Sequence, residues 1–253
     1  MKQKEADIFY LALALADDAL VLGHRLSEWS GRGPSLEEDI ALSNLGLDLI
    51  GQARLFYSYA GEIEGMGRDE DDFAYFRTAA DYRNLLIVEL ETGDFAHTVA
   101  RQFLYAAFMQ PYFAALSKSK DARLAEIAAK AVMEMAYHVR HSGEWLIRLG
   151  DGTAESKRRA EDALELIWGY TGEMFTATDV EHRLAAEGLA PDRKALLPRW
   201  TTTVDQVLLE ATLQRPKPRA LQTGGRDGRH TEVLDHMLAE MQVLARQHPG
   251  AKW

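Results

Sequence analysis

The sequence predicts an all-α fold: a four-helix bundle with one long crossover and a helical C-terminal extension. Three observations predict it. Apolar residues recur at intervals of three and four along four long segments, the period of a helix with one buried face. Alternating strand-like patterns are nearly absent. The links between the first and second and between the third and fourth segments are short, whereas the link between the second and third is long.

The first helix is expected from about Ala6 to Trp29, stopped by the Gly31-Arg-Gly-Pro34 turn. The second opens on Ser35 as N-cap, with Glu38 three residues later completing a capping box, and runs to about Glu64 before Gly65. A mixed connection from Gly65 to Gly93 follows, with a short helix near Asp71 to Phe76. The third helix opens near Asp94 and reaches about Leu116, where Pro111 predicts a kink. The fourth runs from about Asp121 to Leu149, with Gly150 as the expected C-cap. Two or three further helices are expected in the remainder, at about Ala154–Phe175, Leu197–Leu213 and Thr231–Gln247. The Pro-punctuated Arg215-Pro-Lys-Pro218 and the turn-rich Thr223–Gly228 separate the last two. Short–long–short connectivity is that of ferritin-like bundles, and no repeat or linker divides the chain, so residues 1–253 read as one helical domain.

Each of the four long helices carries polar groups on its apolar seam. The first seam reads Ile8, Leu11, Leu15, Asp18, Leu22, Leu26, Trp29, and the second Ala41, Leu45, Asp48, Gln52, Leu55, Tyr59. The third is Phe95, Val99, Gln102, Ala106, Met109, Phe113. The fourth is Leu124, Ile127, Ala131, Glu134, His138, His141, Trp145. A buried carboxylate is costly unless paired, hydrogen-bonded or bound to metal. Ferritin-like bundles build a di-metal centre at such positions, from a Glu on each of two helices and a Glu-x-x-His on each of the other two. Here Asp18 is one carbon short, Asp48 has Gly51 at i+3, Gln102 is neutral, and Glu134 has Tyr137 at i+3. Too few charges and imidazoles remain to grip two ions. The expectation is a metal-free core in which Asp18, Asp48, Gln52, Gln102, Glu134, His138 and His141 form one hydrogen-bonded network, with protonated imidazole standing in for metal charge. The rival reading is a mononuclear site on Glu134, His138 and His141, making the chain a self-contained metal-dependent oxidase.

Other chemistry is sparse. The acid-x-x-His matches Asp94/His97, Asp179/His182 and Asp227/His230 fall at expected helix starts or in loops, and 39 acidic residues make such spacings common by chance. No nucleophile elbow, phosphate-binding loop or dinucleotide fingerprint occurs. Thr223 to His230 is Gly-rich and basic but follows no strand, so it reads as a turn docking the last helix. Phe103, Tyr105, Phe108, Tyr112 and Phe113 encircle the third helix, either as core or as one face toward a partner protein. A net charge of −10 argues against nucleic acid and anionic membranes as partners. No apolar run is long enough to span a bilayer, and no signal-peptide layout is visible. The absence of cysteine removes disulfides and thiolate chemistry and fits a bacterial cytoplasmic protein.

The segments Leu20 to Trp29, Asp39 to Arg54 and Ala131 to His138 resemble the C component of the multicomponent phenylacetyl-CoA 1,2-epoxidases. So does the tail, with Thr223-Gly-Gly-Arg-Asp-Gly-Arg-His-Thr-Glu232, Met237 to Gln242 and Pro249-Gly-Ala-Lys-Trp253. The resemblance spans essentially the whole chain. It implies a non-catalytic, ferritin-like component that binds no cofactor itself and holds the catalytic di-iron component in its working conformation. A further small component and an NADPH-dependent flavin and iron–sulfur reductase would complete the system, and a second copy of the chain is a further candidate partner. The resemblance also implies a CoA ester running along the interface with the di-iron component. Asp81, Tyr82, Arg83 and Asn84 in the crossover and His182, Arg183 and Leu184 in the extension are the matching stretches. Arg83, His182 and Arg183 would meet phosphates, and Tyr82 would stack on adenine. The other alternative is an acyl-CoA-binding helical module without a catalytic partner.

Overall fold

The computed structural model describes residues 1–217 and 220–251; Pro218 of the Pro-punctuated stretch, and Lys252 and Trp253 of the tail motif, lie outside the described residues. It is all-helical, with no strand among the described residues. Helix α1 (Gln3–Ser27) and α2 (Leu36–Glu64) form one antiparallel pair. The crossover carries α3 (Glu70–Tyr75) and α4 (Leu86–Glu89), and α5 (Phe95–Leu116) and α6 (Ala122–Gly150) form the second pair. The extension adds α7 (Ala154–Ile167), α8 (Asp179–Glu187), α9 (Leu197–Glu210) and α10 (Glu232–Gln247). This is the ferritin-like bundle. One apolar cluster runs through all four long helices and on into the extension.

Local chemistry explains the boundaries. Asp94 caps α5 by accepting from the His97 amide at 2.9 Å, and Asp121 caps α6 through the Leu124 amide at 2.9 Å. Gly65 ends α2 in the left-handed region at φ +68°. The capping box at Ser35 is only half made: Ser35 Oγ accepts from the Glu38 amide, but the Glu38 carboxylate accepts from His141 on α6 instead. Gly150 does not cap α6; it is the last helical residue, and Asp151 follows as cap. The Ala211 carbonyl crosses so close that a Cβ at Gly150 would lie 2.2 Å from its oxygen.

The expected helix Ala154–Phe175 is two elements. The α-helix ends at Ile167, and a 3-10 stretch, Trp168–Phe175, continues it. Thr171 Oγ1 donates to the Trp168 carbonyl at 2.8 Å, and Leu221 packs where a Gly172 Cβ would stand. Helices α4 and α8 are additions to the expected set, because each carries too few residues to show a period.

Helix α5 is buried on every side. Phe103, Tyr105, Phe108, Tyr112 and Phe113 are all inside, which settles them as core and removes the partner-facing alternative. The extension wraps α5 through α7 and α9, with Trp200 Nε1 donating to the Leu104 carbonyl at 3.0 Å.

Candidate functional site

The seam residues do not converge on a point. They form rungs between α2 and α6, which run antiparallel. Tyr59 donates to Asp121 (2.7 Å), Gln52 to Glu134 (2.8 Å), His138 Nε2 lies 3.3 Å from Asp48, and His141 Nε2 lies 2.9 Å from Glu38. As the α6 number rises, the α2 number falls. Each rung satisfies a polar group that would otherwise be stranded between helices.

Gln102 on α5 reaches the ladder from behind, its amide nitrogen 2.9 Å from His138 Nδ1. The ring of His138 is thus held from both sides, by the Gln102 amide at Nδ1 and by Asp48 at Nε2. Lys130, 3.5 Å from Glu134, supplies a cation one helical turn away.

Asp18 is not part of this ladder, which corrects the single network expected from the sequence. It is fully buried on α1, where Arg226 grips it with Nη2–Oδ2 at 2.6 Å and Nη1–Oδ1 at 3.0 Å, and the Leu85 amide donates at 2.7 Å. Burial alone would depress the Arg226 guanidinium, but Asp18 and Glu181 outweigh it and hold it above its ordinary value. The neighbouring Asp17, also fully buried, accepts from Tyr57 Oη at 2.5 Å, from the Arg83 amide at 2.8 Å and from Arg77. The two consecutive acids therefore pin the crossover and the extension to α1.

The residues that complete these pins are not evident from sequence. Glu173 accepts from the Leu86, Gly224 and Gly225 amides at 2.7, 2.8 and 2.9 Å. The glycine-rich turn does cradle an anion, but the anion is the chain's own carboxylate. Glu89, also fully buried, accepts from Asn84 Nδ2 (2.9 Å), His230 Nδ1 (2.7 Å) and the Thr231 amide (2.7 Å). Glu181 pairs with buried Arg193 at 2.6 Å. The only sequence signals are the Asp17-Asp18 doublet and the Gly-rich tail, and neither names its partner. Of the weak acid-x-x-His matches, Asp94/His97 is a helix cap and His230 is a buried clamp on Glu89.

These donors do not fit a di-iron centre. Two such ions need four or more carboxylates and imidazoles around a shared point, and here one seam acid is held by arginine while the others are paired across a ladder. Among the described residues, no group of three or more His, Asp or Glu side chains could hold a metal ion. Glu134, His138 and His141 turn to three different α2 partners, so they do not act as one ligand set.

The stretches matched to a CoA ester divide by exposure. Tyr82 is fully buried, donates to the Ala74 carbonyl at 2.6 Å and carries the Arg77 guanidinium over its ring at 4.3 Å, so it has no face open to a base. Asn84 and Leu184 are buried as well. Asp81, His182 and Arg183 are exposed and Arg83 is half-buried. Asp81 caps the Ala79–Asp81 turn, and hydrogen bonds from Thr78 hold its carboxyl below the usual range. Arg183 forms a fork to Asp7 at 2.8 and 2.7 Å, and Arg83 donates to the Tyr82 carbonyl at 2.6 Å. Both arginines lie against the first half of α1, Arg183 on Asp7 and Arg83 near enough to Tyr10 for its charge to act on the phenol.

A family profile described as "Phenylacetic acid catabolic protein" matches residues 1–253. The chain belongs to the phenylacetic acid catabolic protein family. Among curated proteins, the C subunit of 1,2-phenylacetyl-CoA epoxidase from Escherichia coli (strain K12) is similar to it, 47% identical over 241 residues, covering 95% of this chain and 97% of that protein. The family match takes in both the ladder helices and the arginine-pinned extension of this chain. No helix among the described residues is long and apolar enough to cross a membrane.

Proposed function

We propose that this chain is the structural, metal-free component of a multicomponent di-iron oxygenase that epoxidises phenylacetyl-CoA in phenylacetate catabolism, bracing a catalytic partner. The ladder carries the reading: every polar seam position is engaged by a partner within the chain, so a metal could enter only by breaking rungs. The similarity over nearly the full length to one component of such an epoxidase supports the same conclusion. The metal-dependent oxidase reading would need Glu134, His138 and His141 to leave three separate partners together.

The partner surface in this reading lies along the outside of the ladder. Leu36, Ile40 and Leu47 stand one above another on α2 at 73%, 53% and 64% exposure, and Met133 and Tyr137 flank them on α6 at 73% and 39%. A second helical bundle carrying an apolar face is the occupant such a stripe fits. The CoA ester is proposed to meet the cationic surface of Arg83, His182 and Arg183, with buried Tyr82, Asn84 and Leu184 shaping the backbone beneath.

Co-expression with a ferritin-like di-iron partner, weighing of the complex and an iron count test the assignment. Iron in proportion to the partner alone, and loss of the complex with Leu47→Asp in a normally folded chain, are the expected results. Iron held stoichiometrically by this chain alone would overturn the metal-free part. For the ligand surface, Arg83→Ala and Arg183→Ala should raise KM for phenylacetyl-CoA in the assembled complex while sparing kcat; unchanged KM removes that role.

A further inference from the structure

Helix α2 holds three glycines in its interior, and two of them have a reason within the chain. A Cβ on Gly46 would lie 3.2 Å from Ser27 Oγ and 3.3 Å from the Gly23 carbonyl oxygen, so this glycine lets α1 and α2 touch. A Cβ on Gly61 would lie 2.4 Å from the Arg68 carbonyl oxygen, in the link that follows the helix. Gly51 is different. Nothing in the chain lies within 4 Å of the atom it lacks, and its φ is outside the left-handed region that favours glycine. A glycine inside a helix lowers its stability relative to alanine, and nothing in this chain offsets that loss at Gly51.

Gly51 lies on the outward stripe of α2. Ile40, Leu47 and Gly51, spaced by seven and four residues, share one helix face, and the first two are exposed. A cavity of about 320 Å³ opens beside it, between α1, α2 and α3. Leu20, Ile50, Ala53 and Ala74 give the cavity apolar walls, and Arg54 and Tyr75 complete its lining. The basic side chains of this part of the face are already neutralised: Glu70 holds Arg54 at 2.8 Å and Glu134 holds Lys130 at 3.5 Å. Such a face suits an apolar occupant and disfavours an anionic one.

Its extent fits a protein partner. From Leu36 to Arg54 the helix is about 27 Å long, and with α6 alongside, the face is about 20 Å wide. Roughened by protruding side chains, that footprint is on the scale of the roughly 800 Å² that each member of a stable complex buries. The residues that anchor such complexes are large side chains seated in pockets, and the cavity beside Ile50 has room for one.

Resting on the reading that this face meets a ferritin-like partner, we propose that one helix of that partner crosses α2 at Gly51. Its backbone takes the space a side chain would fill, and it seats one large apolar side chain in the cavity beside Ile50. Gly51 is then the point where the two bundles approach most closely, and the stability the glycine forfeits in the free chain is recovered in the complex.

Two measurements on the same variants test this: urea unfolding of the free chain, and titration with the purified di-iron component of the epoxidase. Gly51→Ala should raise the urea midpoint of the free chain yet weaken the complex by at least about tenfold, one decade in Kd. Gly51→Leu should weaken it further, and Ile50→Ser, at the solvent-exposed wall of the cavity, should weaken it as well. Unchanged affinity with Gly51→Ala or with Gly51→Leu in a folded chain, or no loss with Ile50→Ser, overturns the proposal. Leu47→Asp separates this failure from that of the parent reading. If it breaks the complex while Gly51→Leu does not, the face stands and the crossing point is wrong; if neither has an effect, the face itself is wrong. Self-association of the free chain that Gly51→Leu abolishes, with the di-iron component still bound, would put a second copy at Gly51 and overturn the proposal too.

Discussion

Arg226 and Asp18, 208 positions apart in the chain, close a fully buried fork with oxygens at 2.6 and 3.0 Å. The pair does for α1 what a metal ion does for the acids of a di-iron bundle: it neutralises a carboxylate in the core. The cation comes from the far end of the chain, so the charge is neutralised only once the extension has docked. Truncating Arg226 leaves Asp18 uncompensated. Arg226→Ala should therefore destabilise the chain by about 3–5 kcal/mol, measured by urea unfolding. Asp18→Asn combined with Arg226→Met should recover much of that loss. If the double variant is no better than Arg226→Ala, the pair is not the reason.

His230 gives a pH dependence of defined sign. Burial pulls its pKa down, but the hydrogen bond and charge of Glu89 and the Tyr82 carbonyl outweigh burial and raise it above the ordinary value of 6.5. A raised cation contributes stability that is fully present below the unfolded value and is lost as pH rises through the folded one. The stability gap between the wild-type chain and His230→Gln should be wider at pH 6 than at pH 9. A gap that does not change with pH would show that charge plays no part in the clamp.

The ladder makes a different kind of prediction. Glu134→Gln keeps the shape of its rung to Gln52 and removes a half-buried charge near Lys130. The expected loss of stability is within about 1 kcal/mol, with no change in the metal content of an assembled complex by elemental analysis. A fall in iron on this substitution would place a metal ligand in this chain.

Two glycines should respond in opposite directions to alanine. At Gly225 a Cβ would fall 2.0 Å from the Asn84 carbonyl oxygen, so the turn that feeds Glu173 and positions Arg226 must shift. Gly225→Ala should cost about 1–3 kcal/mol. At Gly51, inside α2, nothing lies within 4 Å of the added atom. Gly51→Ala should stabilise the isolated chain by about 0.5–1 kcal/mol. Thermal unfolding of both variants reads the contrast directly.

The periodicity of the sequence determined the four long helices, their order and the long crossover, because an amphipathic seam and its caps are local patterns. It also showed that the Glu and Glu-x-x-His pattern is incomplete, since Gly51, Gln102 and Tyr137 stand at positions where that pattern has imidazole or carboxylate. Only the tertiary structure decided what engages the polar seam residues. Asp18 takes its partner from a turn more than two hundred residues away, Glu173 fills a glycine-rich turn that resembles an anion cradle, and Glu38 leaves its capping box for His141. Tyr82, expected at a ligand surface, is buried because Arg77 covers it and Ala74 takes its hydroxyl. A hydrogen bond between distant segments leaves no period in either one, so such partners become visible only when the chain has folded around them.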